Sequence, residues 1–89
     1  MSVEAMTWAF KQELDPSQKI VLLALAQACD SHGRCWLAKK DISQITGLST
    51  RSIVYILRFL SSEVNLISLP RLHGPDGRSI SNLYQLHVL

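Results

Sequence analysis

Lys39-Lys40-Asp41-Ile42-Ser43-Gln44-Ile45-Thr46-Gly47-Leu48-Ser49-Thr50-Arg51-Ser52-Ile53 holds two helix patterns separated by a break. The first helix is expected over Lys39 to Thr46, with Ile42 and Ile45 facing inward. Gly47 can adopt the left-handed conformation that ends a helix. Ser49 can cap a following helix from Thr50 to about Ser62, because a serine oxygen accepts an otherwise orphaned N–H of the first turn. In that helix Ile53, Ile56, Leu57 and Leu60 recur at i, i+3, i+4 and i+7, the spacing of one buried face. Asn65 is a candidate left-handed residue closing it. Two helices joined by a tight glycine turn make a helix-turn-helix unit.

Upstream, Asp15-Pro16-Ser17-Gln18 reads as a helix start. Asp15 can cap, Pro16 suits the first helical position and Gln18 completes a capping box. This helix is expected to reach about Asp30. Ile20, Leu23 and Ala24 make one apolar stripe and Leu22, Leu25, Ala26 and Cys29 another, so it belongs in the middle of a small domain. Residues 1–14 read as a lead-in anchored by Trp8 and Phe10. Ser31-His32-Gly33 predicts a turn, and Arg34 to Leu37 a short extended piece.

Downstream, the period changes. Leu66 to Leu69 reads as a strand, and Pro70 favours a sheet edge. His73-Gly74-Pro75-Asp76-Gly77-Arg78 contains a Pro-Asp-Gly turn. Ile80, Tyr84, Leu86 and Val88 then fall at even spacing, with Ser81, Gln85 and His87 between them, the period of a strand. The prediction is one α+β domain spanning residues 1–89: a winged helix-turn-helix, three helices followed by a β-hairpin wing.

Composition supports one small core. The chain has 89 residues, 47% of them hydrophobic and 18% charged, enough apolar content to fold. No stretch approaches the roughly 18 apolar residues of a membrane span, and no secretory leader pattern appears. A soluble cytoplasmic protein without a membrane partner is the expectation. The net charge is +2, but it is unevenly spread. Residues 1–38 set Lys11, Lys19 and Arg34 against Glu4, Glu13, Asp15 and Asp30, a net −1. Residues 39–89 set Lys39, Lys40, Arg51, Arg58, Arg71 and Arg78 against Asp41, Glu63 and Asp76, a net +3. The basic half is the half with the helix-turn-helix, as a nucleic-acid partner would require.

Catalytic and metal chemistry find little support. Cys29, His32 and Cys35 form a C-x2-H-x2-C spacing, but zinc takes four ligands and no convincing fourth is present. Buried reduced thiols are the simpler reading, with no metal or cofactor. The histidines are scattered, and neither a phosphate-binding glycine loop nor a paired-carboxylate site is evident. Trp8, Trp36, Phe59 and Tyr84 are expected in the core or at its rim.

The chain resembles the winged-helix domain at the N-terminus of phage and plasmid replication-initiation proteins, and related helix-turn-helix proteins. The resemblance runs through Trp8 and Pro16, Lys19 to Ala26, Gly33-Arg34-Cys35-Trp36, Ile45 to Ser49, and Ser81 to Leu86. Where such domains often carry Pro-Ser after the tryptophan, this chain has Leu37-Ala38, which removes a side-chain cap from the following helix. The resemblance implies sequence-specific binding of double-stranded DNA in replication initiation, with replication proteins as further partners. Transcription regulation, a protein-interaction module and a homodimer stay open.

These readings name the expected contacts. Ser49, Thr50, Arg51, Ser52 and Tyr55 would lie at the start of a recognition helix, which fits a major groove about 12 Å wide. Lys39, Lys40, Arg58, Arg71, His73 and Arg78 would face phosphates or the minor groove. Arg51 is the expected base reader. Lys39 and Lys40 sit at a helix N-terminus, where each opposes the helix dipole by about 0.3–1 kcal/mol. That cost suits a site that meets a polyanion.

Overall fold

A computed structural model describes residues 3–68 and 83–88. These form α1 (Val3–Phe10), α2 (Pro16–Ala28), β1 (Arg34–Trp36), α3 (Lys39–Thr46), α4 (Thr50–Arg58), a π-helical turn (Phe59–Glu63), β2 (Ile67–Ser68) and β3 (Leu83–Leu86). The expected lead-in is therefore itself largely helical. Four α-helices precede β2 and β3, rather than three.

Helix α2 starts as its sequence dictates. Gln18 Oε1 accepts the Asp15 backbone N–H at 3.2 Å, and Pro16 occupies the first turn. The helix stops at Ala28, short of Asp30. Val21, Leu22, Ala24, Leu25 and Ala26 are all buried, and α2 packs against α1, α3 and α4. It is the central strut. Ile20 is exposed and Leu23 only half-buried against the core, so of the first apolar stripe Ala24 alone is buried, while the second, Leu22, Leu25, Ala26 and Cys29, is buried throughout.

Between α2 and β1, Asp30 organises the loop. Its Oδ1 accepts the backbone N–H of His32 at 2.8 Å and of Arg34 at 3.0 Å. The Arg34 N–H foremost holds this carboxyl below its ordinary value; desolvation, next in size, opposes it, and the His32 N–H and the Arg34 charge add to the lowering. Gly33 has a φ of 77°, a left-handed conformation that suits glycine.

The strands pair antiparallel in the order β1-β3-β2. Cys35 opposes Tyr84, and Ile67 opposes Leu86. Those four side chains are buried, while Arg34 and Trp36 of β1 are exposed. The alternation is that of a sheet with one face on the core. His87 fastens the end of the sheet. The Asn65 carbonyl can only accept, so His87 Nδ1 carries the proton that reaches it at 2.9 Å. His87 Nε2 and Ser68 Oγ share a second hydrogen bond at 2.7 Å.

Helix α4 widens into the π-helical turn after Arg58. The Arg58 carbonyl accepts the hydroxyls of Ser61 at 3.1 Å and Ser62 at 2.6 Å, so local side chains occupy backbone capacity that a regular helix would use. Leu60 stays buried. Asn65 closes the segment with φ 52°, as its position suggested.

Among the described residues the buried set is apolar, with Cys29, Cys35 and Tyr84 as its only polar-atom carriers. Neither cysteine is in a disulfide. Burial, aided by the neighbouring Cys29 thiol and the Asp30 charge, pushes the Cys35 thiol up to about 12. The whole is a small α+β fold, and its element and strand orders are compatible with a winged helix without being unique to one. No helix among the described residues is long and apolar enough to cross a membrane.

Candidate nucleic-acid interface

The turn between α3 and α4 is held by its own side chains. Gly47, at φ 79°, donates its N–H to Ser43 O at 2.9 Å. Thr46 Oγ1 donates to Ile42 O at 2.8 Å and accepts the Leu48 N–H at 3.2 Å. Ser43 Oγ donates to Leu48 O. Four short-range bonds thus fix the path from one helix to the next, and α3 packs on α4. Ile42 is fully buried at this contact. Ile45, expected inward, is 53% exposed: it follows Ile42 at i+3, but the elements that cover Ile42 do not extend over it.

Helix α4 begins at the expected cap. Ser49 Oγ accepts the Ser52 N–H at 3.1 Å and its hydroxyl points to Ser52 Oγ at 3.0 Å. The Ser49 hydroxyl therefore serves the helix start and is not an idle donor for a phosphate, whereas Ser52 Oγ accepts that bond and keeps its own O–H to donate. Ile53 and Leu57 are buried. At about 100° per residue, Arg51, Tyr55 and Arg58 fall within roughly 60° of one another, on the side away from Ile53 and Leu57. All three are exposed, Tyr55 at 61%. Two guanidiniums thus bracket one bare phenol along a single helix face. Thr50 is also exposed, beside Arg51 on the first turn.

Lys39 and Lys40 open α3 and are exposed. Ala38 supplies no side-chain cap there, as Leu37-Ala38 implied. Arg71, His73 and Arg78, assigned to the wing from sequence, lie outside the described residues, as do Pro70 and the Pro-Asp-Gly turn.

No three His, Cys, Asp or Glu side chains among the described residues come together as a metal site. His32 faces solvent while Cys29 and Cys35 are buried, so the C-x2-H-x2-C spacing does not converge. Sequence reasoning missed Asp30 and Gln85. Gln85 Nε2 donates to His32 O at 2.9 Å, and with Asp30 it fixes the loop before β1. The signal for Asp30 was available, since Asp followed by Ser-His-Gly is an Asx-turn pattern. Trp36 is 58% exposed on the outer sheet face, well past the rim position expected for it.

No family model, curated protein or solved structure matches the chain.

Proposed function

We propose that this protein binds double-stranded DNA as a winged helix, with α4 in the major groove. The observation that carries the reading is the Arg51–Tyr55–Arg58 face of α4, opposite the buried Ile53 and Leu57. A helix presented on a rigid turn with two cations and an aromatic on its free face suits a groove lined by phosphates and base edges. Arg51, exposed on the first turn, is the proposed base reader, since a guanidinium can pair with guanine bidentately. Lys39, Lys40 and Arg58 take the phosphates that set register. The strand order β1-β3-β2 is compatible with the winged arrangement and supports the reading to that extent. Replication initiation is the process the family resemblance implies, and transcription regulation uses the same chemistry.

The test is a titration of duplex binding across salt concentrations. Counterion release predicts that log affinity falls with log salt, with a slope of about −0.9 per phosphate neutralised. An absent or flat response would instead select a protein-interaction module. The modest net charge of +2 and the bare Trp36 favour that second reading.

A further inference from the structure

Asp30 and Arg34 close a three-residue loop. The Gly33 N–H donates to Asp30 O at 3.1 Å, and the Asp30 N–H donates to Arg34 O at 2.8 Å. Gly33 is left-handed, with φ 77°. A β-turn followed by one left-handed residue is a common build of a three-residue hairpin loop, so the chain segments leaving it run antiparallel. The side chains of the closing pair lie together on the solvent side, with Arg34 Nε 3.8 Å from Asp30 Oδ2. Cys29 and Cys35 are the next pair away from the turn. Cys29 is extended, with φ −78° and ψ 156°, and Cys35 lies in β1. Side chains alternate along extended chain, so both thiols turn to the opposite side, into the core, where each is 0% exposed. The Cys29 thiol is near enough to act on the Cys35 thiol through its charge.

We propose that Cys29 and Cys35 are a thiol pair preset by the hairpin for one intramolecular disulfide, formed by exchange with a low-molecular-weight disulfide such as oxidised glutathione. Residues opposite each other on antiparallel chain have Cα atoms about 4.5–5.5 Å apart, inside the range of about 4.4–6.8 Å that a disulfide spans. In the exchange, one cysteine thiolate attacks a sulfur of the small disulfide and releases one small thiolate. The other cysteine thiolate attacks the protein-side sulfur of that mixed disulfide and releases the second. The two cysteine protons pass to the two small thiolates. The protein dithiol is thereby oxidised by two electrons, and one small disulfide is reduced to two thiols.

Burial sets the rate and the product. The raised Cys35 thiol is a poor nucleophile in the closed fold, so exchange passes through opening of residues 30–34. A fully buried cysteine has no room for a glutathionyl group, so reclosing selects the Cys29–Cys35 bond over either mixed disulfide. That bond ties the end of α2 to β1 across the loop that Asp30 organises. The pair is a redox-sensitive staple at one end of the central strut. It does not rest on DNA binding and is measured without DNA.

The test equilibrates the full chain with mixtures of reduced and oxidised glutathione, once in native buffer and once in concentrated urea. Iodoacetamide applied after acid quenching and unfolding, followed by mass spectrometry, counts the species. The expected native product is a monomer lighter by two hydrogens, with neither cysteine alkylated. Its equilibrium constant should exceed that of the urea-unfolded chain by at least about tenfold, because the fold holds the two thiols together. By linkage, the oxidised chain should then resist urea better than the reduced one. Cys29→Ala and Cys35→Ala should each abolish the product. A native constant no larger than the unfolded one would show that the fold keeps the thiols apart, and overturns the inference. So does a native product made mainly of mixed disulfides or of cross-linked dimers.

Discussion

Gly33 presses against Leu86: the Leu86 N–H donates to Gly33 O at 2.8 Å, and a β-carbon on Gly33 would stand 2.9 Å from the Leu86 carbonyl oxygen. The same carbon would stand 3.1 Å from Gln85 Nε2. This contact joins the loop after α2 to the last described strand. Gly33→Ala is expected to destabilise by about 1–3 kcal/mol through the left-handed φ alone, and by more through the collision with backbone. Gly47 provides the internal comparison. Its φ of 79° is similar, yet open space surrounds it, so Gly47→Ala should cost less. Urea melts of the two variants check the order.

Tyr84 has a buried hydroxyl with no hydrogen-bond partner among the described residues. A stranded polar atom lowers stability relative to an apolar group of the same shape. Tyr84→Phe is therefore expected to leave the thermal midpoint unchanged or raise it. A loss of more than about 1 kcal/mol would show that the hydroxyl has a partner.

Alkaline pH should destabilise the fold. Burial raises the Cys35 thiol from 9.0 to about 12, and burial followed by the Cys35 charge raises Tyr84 above its ordinary 10.0. The folded state thus favours the neutral forms. Below pH 9 the thiol is neutral in both states and this effect is fully present. Between pH 9 and about 12 the unfolded chain ionises first, so stability falls as pH rises. Urea midpoints between pH 8 and 11 should decline, and Cys35→Ala should flatten part of the decline. A flat wild-type profile would contradict it.

Leu57 and Ile45 belong to the two helices of the central turn but differ in burial. Leu57→Ala should destabilise by about 2–5 kcal/mol, the usual range for a core leucine. Ile45→Ala, at an exposed site, should stay within about 0.5 kcal/mol. Equal losses at the two sites would mean that α3 is rotated from the position described.

Arg51 and Arg58 share a face of α4 but should do different work on DNA. Arg51→Ala is expected to cost about 1–3 kcal/mol on the best duplex and to relax preference at one base pair. Arg58→Ala should weaken specific and random duplexes alike and reduce the salt slope by about one. Binding measured on both duplex types at several salt concentrations separates the two roles.

Much of the local structure was legible because its causes are local. A glycine turn, a serine cap, a capping box and an Asn in left-handed conformation depend on a few adjacent residues, and all four stand where the sequence puts them. The face of α4 was equally plain, since Ile53 and Leu57 define a buried side by spacing alone. Periodicity does not say how wide the burying surface is, however. Ile45, expected to face inward, and Phe10, expected to anchor the lead-in, are both exposed, because no neighbouring described element reaches far enough to cover them. Only the packing of α2 against its partners decided which of two apolar stripes became core. The strand order β1-β3-β2, the pairing of Cys35 with Tyr84 and the contact of Gly33 with Leu86 join residues some fifty positions apart. Spacing along a chain carries no such distance information, and tertiary packing alone brought these residues together.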